Sequence, residues 1–216
     1  MSNANAKRDR VDRDVVIATA ADLVNRNGLA SLSMGELATA LGLKTPSLYA
    51  HVTGIDEVKR LLALRGLAAM ETALAHAALG KTASSAVRAL LFAYLEFVRT
   101  NPGVYEATFP AAPLDDLEWT AAARKIQATN RAVLAGLGLS PEEEIHLQRG
   151  MRSLAHGFAV FEASGAFRNP VDRDESFSWL VDVFLCGLEP LIGAAAQLSR
   201  SVVRTGSDAR RIAGGL

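Results

Sequence analysis

Apolar residues in this chain recur at spacings of three and four, and no segment alternates convincingly with a period of two. Only a 3.6-residue repeat carries such a spacing onto one face, so the chain is confined to helices packed on helices. The punctuation agrees with that. Val16, Ala20, Leu23 and Val24 form one stripe, and Gly28 follows as a stop. Ser33 and Glu36 are spaced as a capping box, ahead of a helix that carries Leu37, Ala38 and Leu41 and stops at Gly42. Thr45 before Pro46 reads as an N-cap and an N1 proline, starting a short third helix that runs to about Val52. Longer helices are predicted over about 56–78, 82–100 and 141–164, with one capped by Asp115 or Asp116 that reaches Leu137. A short helical turn follows Asn101-Pro102-Gly103, and the last long helix starts near Glu175 and is kinked or ended by Pro190. The expected fold is all-α.

Composition excludes several classes. Of 216 residues half are hydrophobic and 21% charged, too apolar for a disordered chain. A folded chain of this mass buries roughly 70% of its unfolded surface. The single cysteine, Cys186, excludes an internal disulfide framework and fits a reducing, cytoplasmic setting; it lies in an apolar run and reads as buried and inert. No uncharged apolar run reaches 18 residues and no basic start leads into a cleavage site, so neither a membrane span nor a secretory signal is expected. The 23 basic and 23 acidic side chains cancel, which argues at first against nucleic acid. They are not evenly spread. Residues 1–60 carry 8 basic and 7 acidic groups, residues 61–196 carry 11 and 15, and residues 197–216 carry Arg200, Arg204, Arg210 and Arg211 against Asp208. A polyanion site is therefore expected near an end of the chain.

Residues 33–52 carry the functional signal. Counting Ser33 as zero, Ala38 stands at position 5 and Gly42 at position 9, with Leu37, Leu41, Leu43 and Leu48 at 4, 8, 10 and 15. Two helices crossing closely need the small residue, the turn between them needs a left-handed glycine, and the rest make the seam. Any tight helical corner can show this spacing. The surrounding run Gly28-Leu29-Ala30-Ser31-Leu32-Ser33 through Lys44-Thr45-Pro46-Ser47-Leu48-Tyr49-Ala50-His51-Val52 is more specific. Over roughly residues 12–65 it resembles the N-terminal domain of the tetracycline-repressor (TetR) family. The resemblance implies that Lys44, Thr45, Pro46 and Ser47 face base edges or the adjoining backbone, and that Tyr49 and His51 contact phosphate. It implies that Ser33 opens a helix that packs on phosphate, and that Leu48 and Val52 are core. One departure stands out. The family usually has a lysine three residues after the valine, and here that position is Ile55, which lowers the expected affinity and flattens its salt dependence unless Lys59 and Arg60 compensate.

The C-terminal half resembles a TetR subclass named for a Trp-His-Gly motif, with Ala155-His156-Gly157 standing in its place. Leu147, Met151, Leu154, Phe158 and Phe161 form one stripe. Phe177, Leu180, Val181, Phe184, Leu185, Leu188 and Leu191 form a face too wide for one neighbour, so a homodimer through the last two long helices is expected. Phe92, Tyr105, Phe109, Trp119, Arg152, His156 and Phe161 are the expected lining of a site for an unknown hydrophobic or aromatic effector, although aromatics at helical spacing also make plain core.

Other signals lead nowhere. Ala75, Gly80, Lys81 and Thr82 imitate a phosphate loop, but a helix precedes them where a strand is required. His51, His76, His146 and His156 lack metal-ligand spacing, there is no nucleophile elbow, and Glu142-Glu143-Glu144 is a dipole-favourable helix start. No cofactor and no catalytic group are expected. The chain therefore reads as a helix-turn-helix domain over 10–54 and a helical effector-binding and dimerisation domain over 55–200. Its expected function is a regulator, most simply a repressor, released by a small molecule from a palindromic double-stranded DNA operator. The alternative is a helical small-molecule-binding protein or enzyme with weak or no DNA binding.

Overall fold

A computed structural model describes residues 11–190. Leu191, the C-terminal arginines and the outer limits expected for the two domains lie outside the described residues. Within them the fold is all-helical. The α-helices are α1 (Arg13–Asn27), α2 (Met34–Leu41), α3 (Thr45–Leu48), α4 (Ile55–Ala78), α5 (Ala83–Thr100), α6 (Pro102–Ala107), α7 (Leu117–Leu134), α8 (Pro141–Ala163) and α9, described over 173–190. The residues divide into two compact units, one holding the chain up to Ala73 together with Glu96–Ile126, the other Leu74–Leu95 together with the chain from Gln127. Packing therefore divides the chain elsewhere than at residue 54.

The first unit is built around α1. Asp12 caps it through Val15 N–H (2.8 Å), and Gly28 ends it at φ +83°. Val16, Ile17, Ala20, Ala21, Leu23 and Val24 are buried against Leu37, Ala38 and Leu41 of α2, Leu48 and Val52 after it, and Val58 and Leu62 of α4. Each of the Val, Leu and Ile side chains among them stabilises by roughly 1.5–3 kcal/mol, and each Ala by less. Residues from far along the chain complete this core: Val104, Ala107 and Trp119. The α6 helix reaches α1 because Gly103 has no side chain, since a Cβ there would lie 2.1 Å from the Val24 carbonyl oxygen. The Asn25 side-chain oxygen then accepts from Gly103 N–H (3.1 Å) and Val104 N–H (3.0 Å), capping α6 from another helix.

Asp116, not Asp115, caps α7, accepting from Trp119 N–H at 3.0 Å. The same carboxylate takes Arg60 of α4 in two bonds, 2.5 Å from Nε and 2.8 Å from Nη2, and Glu118 takes Arg60 as well (2.8 Å). The Arg60 hydrogen bonds, followed by the Trp119 amide, hold the Asp116 carboxyl down at about 2. A carboxyl lowered in the fold contributes stability above its unfolded value, and that contribution fades as pH falls through the folded one. The difference in melting temperature between wild type and Asp116→Asn should be full at pH 7 and shrink steadily between about pH 4 and pH 2. A difference independent of pH would show that the ion pair does not contribute.

In the second unit, Ser140 and Glu143 form a full capping box at the start of α8, with both reciprocal hydrogen bonds made (3.3 and 2.8 Å). Leu147, Met151, Ala155, Phe158 and Ala159 of α8 are buried with Phe177, Val181, Leu185 and Leu188 of α9. Asp172 caps α9 through Glu175 N–H (2.9 Å), two residues ahead of the expected start, and the helix continues to Pro190 at the end of the described residues. Arg88 of α5 pairs with Asp182 of α9.

Candidate nucleic-acid interface and effector region

Three short pieces make the interface. Ser33 is the N-cap of α2, its Oγ accepting from Glu36 N–H at 3.2 Å. The reciprocal half of the expected capping box is replaced, because the Glu36 carboxylate accepts from Asn27 Nδ2 (3.0 Å). A hydroxyl that accepts from a backbone amide keeps its own proton to donate. Gly42 sits at φ +68°, and Gly42 N–H and Leu43 N–H return to the carbonyls of Thr39 (3.1 Å) and Ala38 (2.9 Å). That pair of bonds turns the chain sharply out of α2 and into α3.

The third helix is shorter than expected. It covers Thr45–Leu48, with Tyr49 as C-cap and the chain turning through His51. Lys44, at φ −86° and ψ 143°, is the N-cap in place of Thr45, so Thr45 is already helical and its hydroxyl does not cap. Both His51 N–H (2.9 Å) and Val52 N–H (3.0 Å) go to the Leu48 carbonyl, which closes the helix. Leu48 and Val52 are inside, as the resemblance implies. The face left outside carries Lys44, Pro46 and Tyr49 exposed, with Thr45, Ser47 and His51 half-buried beside them. Tyr49 is 56% exposed, so its ring is not part of the core.

The start of α4 is built differently from what a phosphate clamp needs. Ile55 is half-buried and packs on the core of the first unit. Glu57 accepts from Thr53 N–H (2.5 Å) and Thr53 Oγ1 (2.8 Å) and pairs with Arg13. Those Thr53 bonds, more than Arg13, lower its pKa. Arg60 does not substitute for the missing lysine, because its guanidinium is held by Asp116 and Glu118.

The expected effector residues fall in both units. In the first, Tyr105 (2% exposed) is buried with its ring edge-on to Phe109 at 4.8 Å, and Trp119 is packed in the core around α1. In the second, five rings run in a row: Phe92 to Phe177 (5.2 Å), Phe177 to Phe158 (4.9 Å), Phe158 to Phe167 (4.9 Å) and Phe167 to Phe161 (6.2 Å). Phe161 is exposed at the end of that row, off the buried stripe of α8. His156 is half-buried and Arg152 exposed one turn before it. Burial first, then the Arg152 charge, pushes the His156 imidazole below its usual value, so it is neutral at pH 7.

One feature had no expectation behind it, and one expectation fails. Trp179 and Val183 are 67% and 50% exposed on α9, and Cys186, expected to be buried, is exposed. The buried stripe of α9 is Phe177, Val181, Leu185 and Leu188; Trp179, Val183 and Cys186 repeat at four and three on another face. That second stripe was readable from spacing. The phosphate-loop imitation is absorbed by helix ends: Gly80 turns at φ +68° and Lys81 Nζ donates to the Ala77 carbonyl at 2.8 Å.

Two small helices crossing at a left-handed glycine, with a polar outer face, define a helix-turn-helix protein of the kind that reads DNA. A family model described as a tetracyclin repressor-like C-terminal domain matches residues 87–184, a span that includes Ala155-His156-Gly157. An uncharacterised HTH-type transcriptional regulator of Bacillus subtilis (strain 168) is 32% identical over 81% of this chain and 91% of its own. Another from Mycobacterium tuberculosis is 33% identical over 85% of this chain and 84% of its own. A TetR variant from Acinetobacter baumannii, solved in complex with minocycline, shares the fold at a TM-score of 0.62 and 22% identity, over 84% of this chain and 98% of that one. The chain belongs to the TetR family of transcriptional regulators.

Proposed function

We propose that this protein is a homodimeric repressor that binds a palindromic operator through α2 and α3 and releases it when a small molecule binds the helical C-terminal part. The observation that carries this reading is the outer face of α3. Its seam is fully inward, while Lys44, Thr45, Pro46, Ser47, Tyr49 and His51 stand at the surface and Ser33 at the start of α2. This is a binding protein and not a catalyst, and it acts in the cytoplasm. No helix among the described residues is long and apolar enough to cross a membrane. A gel shift on the DNA upstream of its own gene should give a sequence-preferring complex at sub-micromolar protein. A shift that unrelated DNA of equal length competes away equally well would sink the reading.

Two copies are needed for a palindrome, and the exposed Trp179–Val183 stripe is the surface for the second. A tryptophan two-thirds exposed on an otherwise well-packed helix marks an association surface. Trp179→Arg with Val183→Glu should give a folded monomer by sedimentation velocity and lose operator binding. A persistent dimer would move the interface elsewhere. The effector region we place in the second unit, at Phe92, Arg152, His156 and Phe161 and the ring row between them. The Acinetobacter regulator is solved with minocycline, a ligand of the same general kind: aromatic surface with polar groups. A neutral His156 and a cationic Arg152 one turn apart suit a ligand with one polar or acidic end. Tyr105 and Trp119 then serve chiefly as packing of the first unit, with Phe109 exposed beside Tyr105. The ligand acts only through its different affinity for the bound and free conformations.

Ile55→Lys tests the departure in the reader. A lysine stem can lie where Ile55 packs and carry its ammonium to solvent. The variant should lose about 1 kcal/mol of stability and tighten operator binding, with a salt slope steeper by about one unit per subunit. An unchanged slope would place residue 55 away from phosphate.

A further inference from the structure

Resting on the reader assignment above, we propose that Lys44 sets the operator sequence by donating to a guanine in each half-site, with a thymine methyl packed on Pro46 within two base pairs of it. The outer face of α3 and the turn after it holds Lys44, Pro46, Tyr49 and Ala50 exposed, with Thr45, Ser47 and His51 half-buried. It contains no Asn, Gln, Arg, Asp or Glu. The bidentate amide that reads adenine and the carboxylate that accepts from cytosine are both absent. The one charged group is an ammonium, which donates and cannot accept. Among base edges in the major groove, guanine offers two adjacent acceptors, O6 and N7, and is the natural partner of such a donor.

Lys44 is also available for this. It is exposed, it supplies no side-chain cap to α3, and no carboxylate among the described residues pairs with it. Its backbone is nevertheless fixed. The Gly42 turn precedes it, and its carbonyl accepts Ser47 N–H at 2.8 Å. The stem therefore starts from a set point. Pro46 has no N–H to donate, and its exposed ring presents only apolar surface. The one apolar group on a major-groove edge is the thymine methyl. Two residues along a helix rise about 3 Å, close to the roughly 3.4 Å between neighbouring base pairs, which places the two contacts close together.

In vitro selection with the full chain, followed by titration of the selected duplex, tests this. The selected palindrome should hold a guanine at one fixed place in each half-site with a thymine beside or one step from it. Replacing that guanine by 7-deazaguanine, which lacks the N7 acceptor, should weaken wild type about tenfold. Lys44→Ala, whose helical content should match wild type, should bind about tenfold more weakly and be insensitive to the 7-deaza change. Equal sensitivity of wild type and Lys44→Ala overturns the inference, as does a loss in Lys44→Ala that is uniform across sequences, which is the mark of a phosphate contact. A palindrome with no fixed guanine also overturns it while leaving the regulator reading intact. Failure to select any palindrome overturns both.

Discussion

Gly103→Ala should destabilise the protein by roughly 3 kcal/mol or more, a loss of about 6–12 °C in melting temperature for a chain of this size. The added Cβ meets three atoms of one peptide group: the Val24 oxygen at 2.1 Å, the Val24 carbonyl carbon at 2.3 Å and the Asn25 nitrogen at 2.9 Å. No rotamer relieves a clash with backbone, so α1 and α6 must separate. Separation also breaks the Asn25 cap on α6 and the hydrogen bond from Leu29 N–H to the Glu106 carboxylate (3.2 Å). The buried Val104 and Ala107 would then open the core that supports α2 and α3. Gly157→Ala is the control. Nothing lies within 4 Å of its added Cβ and the residue is in mid-helix, so alanine there should stabilise by about 0.5–1 kcal/mol. Similar melting temperatures for the two variants would mean that α6 does not seat on α1.

Ser47→Ala with Tyr49→Ala should weaken operator binding about a thousandfold and leave helical circular dichroism unchanged. Each hydroxyl removed from a hydrogen bond costs about 1 kcal/mol. Two side chains in two subunits sum to about 4 kcal/mol, which is three orders of magnitude in affinity. The fold should not feel the change, because Tyr49 is 56% exposed and the seam rests on Leu48 and Val52. Loss of helical signal would make these residues core.

What could be read in advance followed how local the cause is. Gly42, the Ser140–Glu143 box and Leu37, Leu41 and Leu48 of the seam act within a few residues and stand where spacing puts them, while Leu43 of the same seam is only half-buried. The Ser33–Glu36 box has the same local pattern and is half made, because Asn27 from the preceding helix takes the carboxylate. Asn25 capping α6 and Arg60 holding the Asp116 cap join residues 78 and 56 positions apart. No local pattern announces such ties. They also explain why the chain divides within α4, α5 and α7 and not at residue 54. The apolar neighbours of Cys186 suggest burial, whereas its exposure is set by helix phase relative to Phe177, Val181 and Leu185. The zero net charge, which argued against nucleic acid, is an average over unlike segments. Among the described residues of the reader Arg13 and Arg60 are paired, and this predicts a shallow salt response.

The central claim is that α2 and α3 bind DNA with sequence preference. Its most direct test is a fluorescence-anisotropy titration of the selected duplex and a scrambled one, with wild type and the Ser47→Ala/Tyr49→Ala variant, from 50 to 200 mM salt. The account predicts at least a hundredfold preference of wild type for the selected duplex, with a log–log salt slope of about −2 to −5. It predicts about a thousandfold weaker binding of the selected duplex by the variant. Equal affinity of wild type for both duplexes, or an unchanged affinity of the variant for the selected duplex, would contradict it.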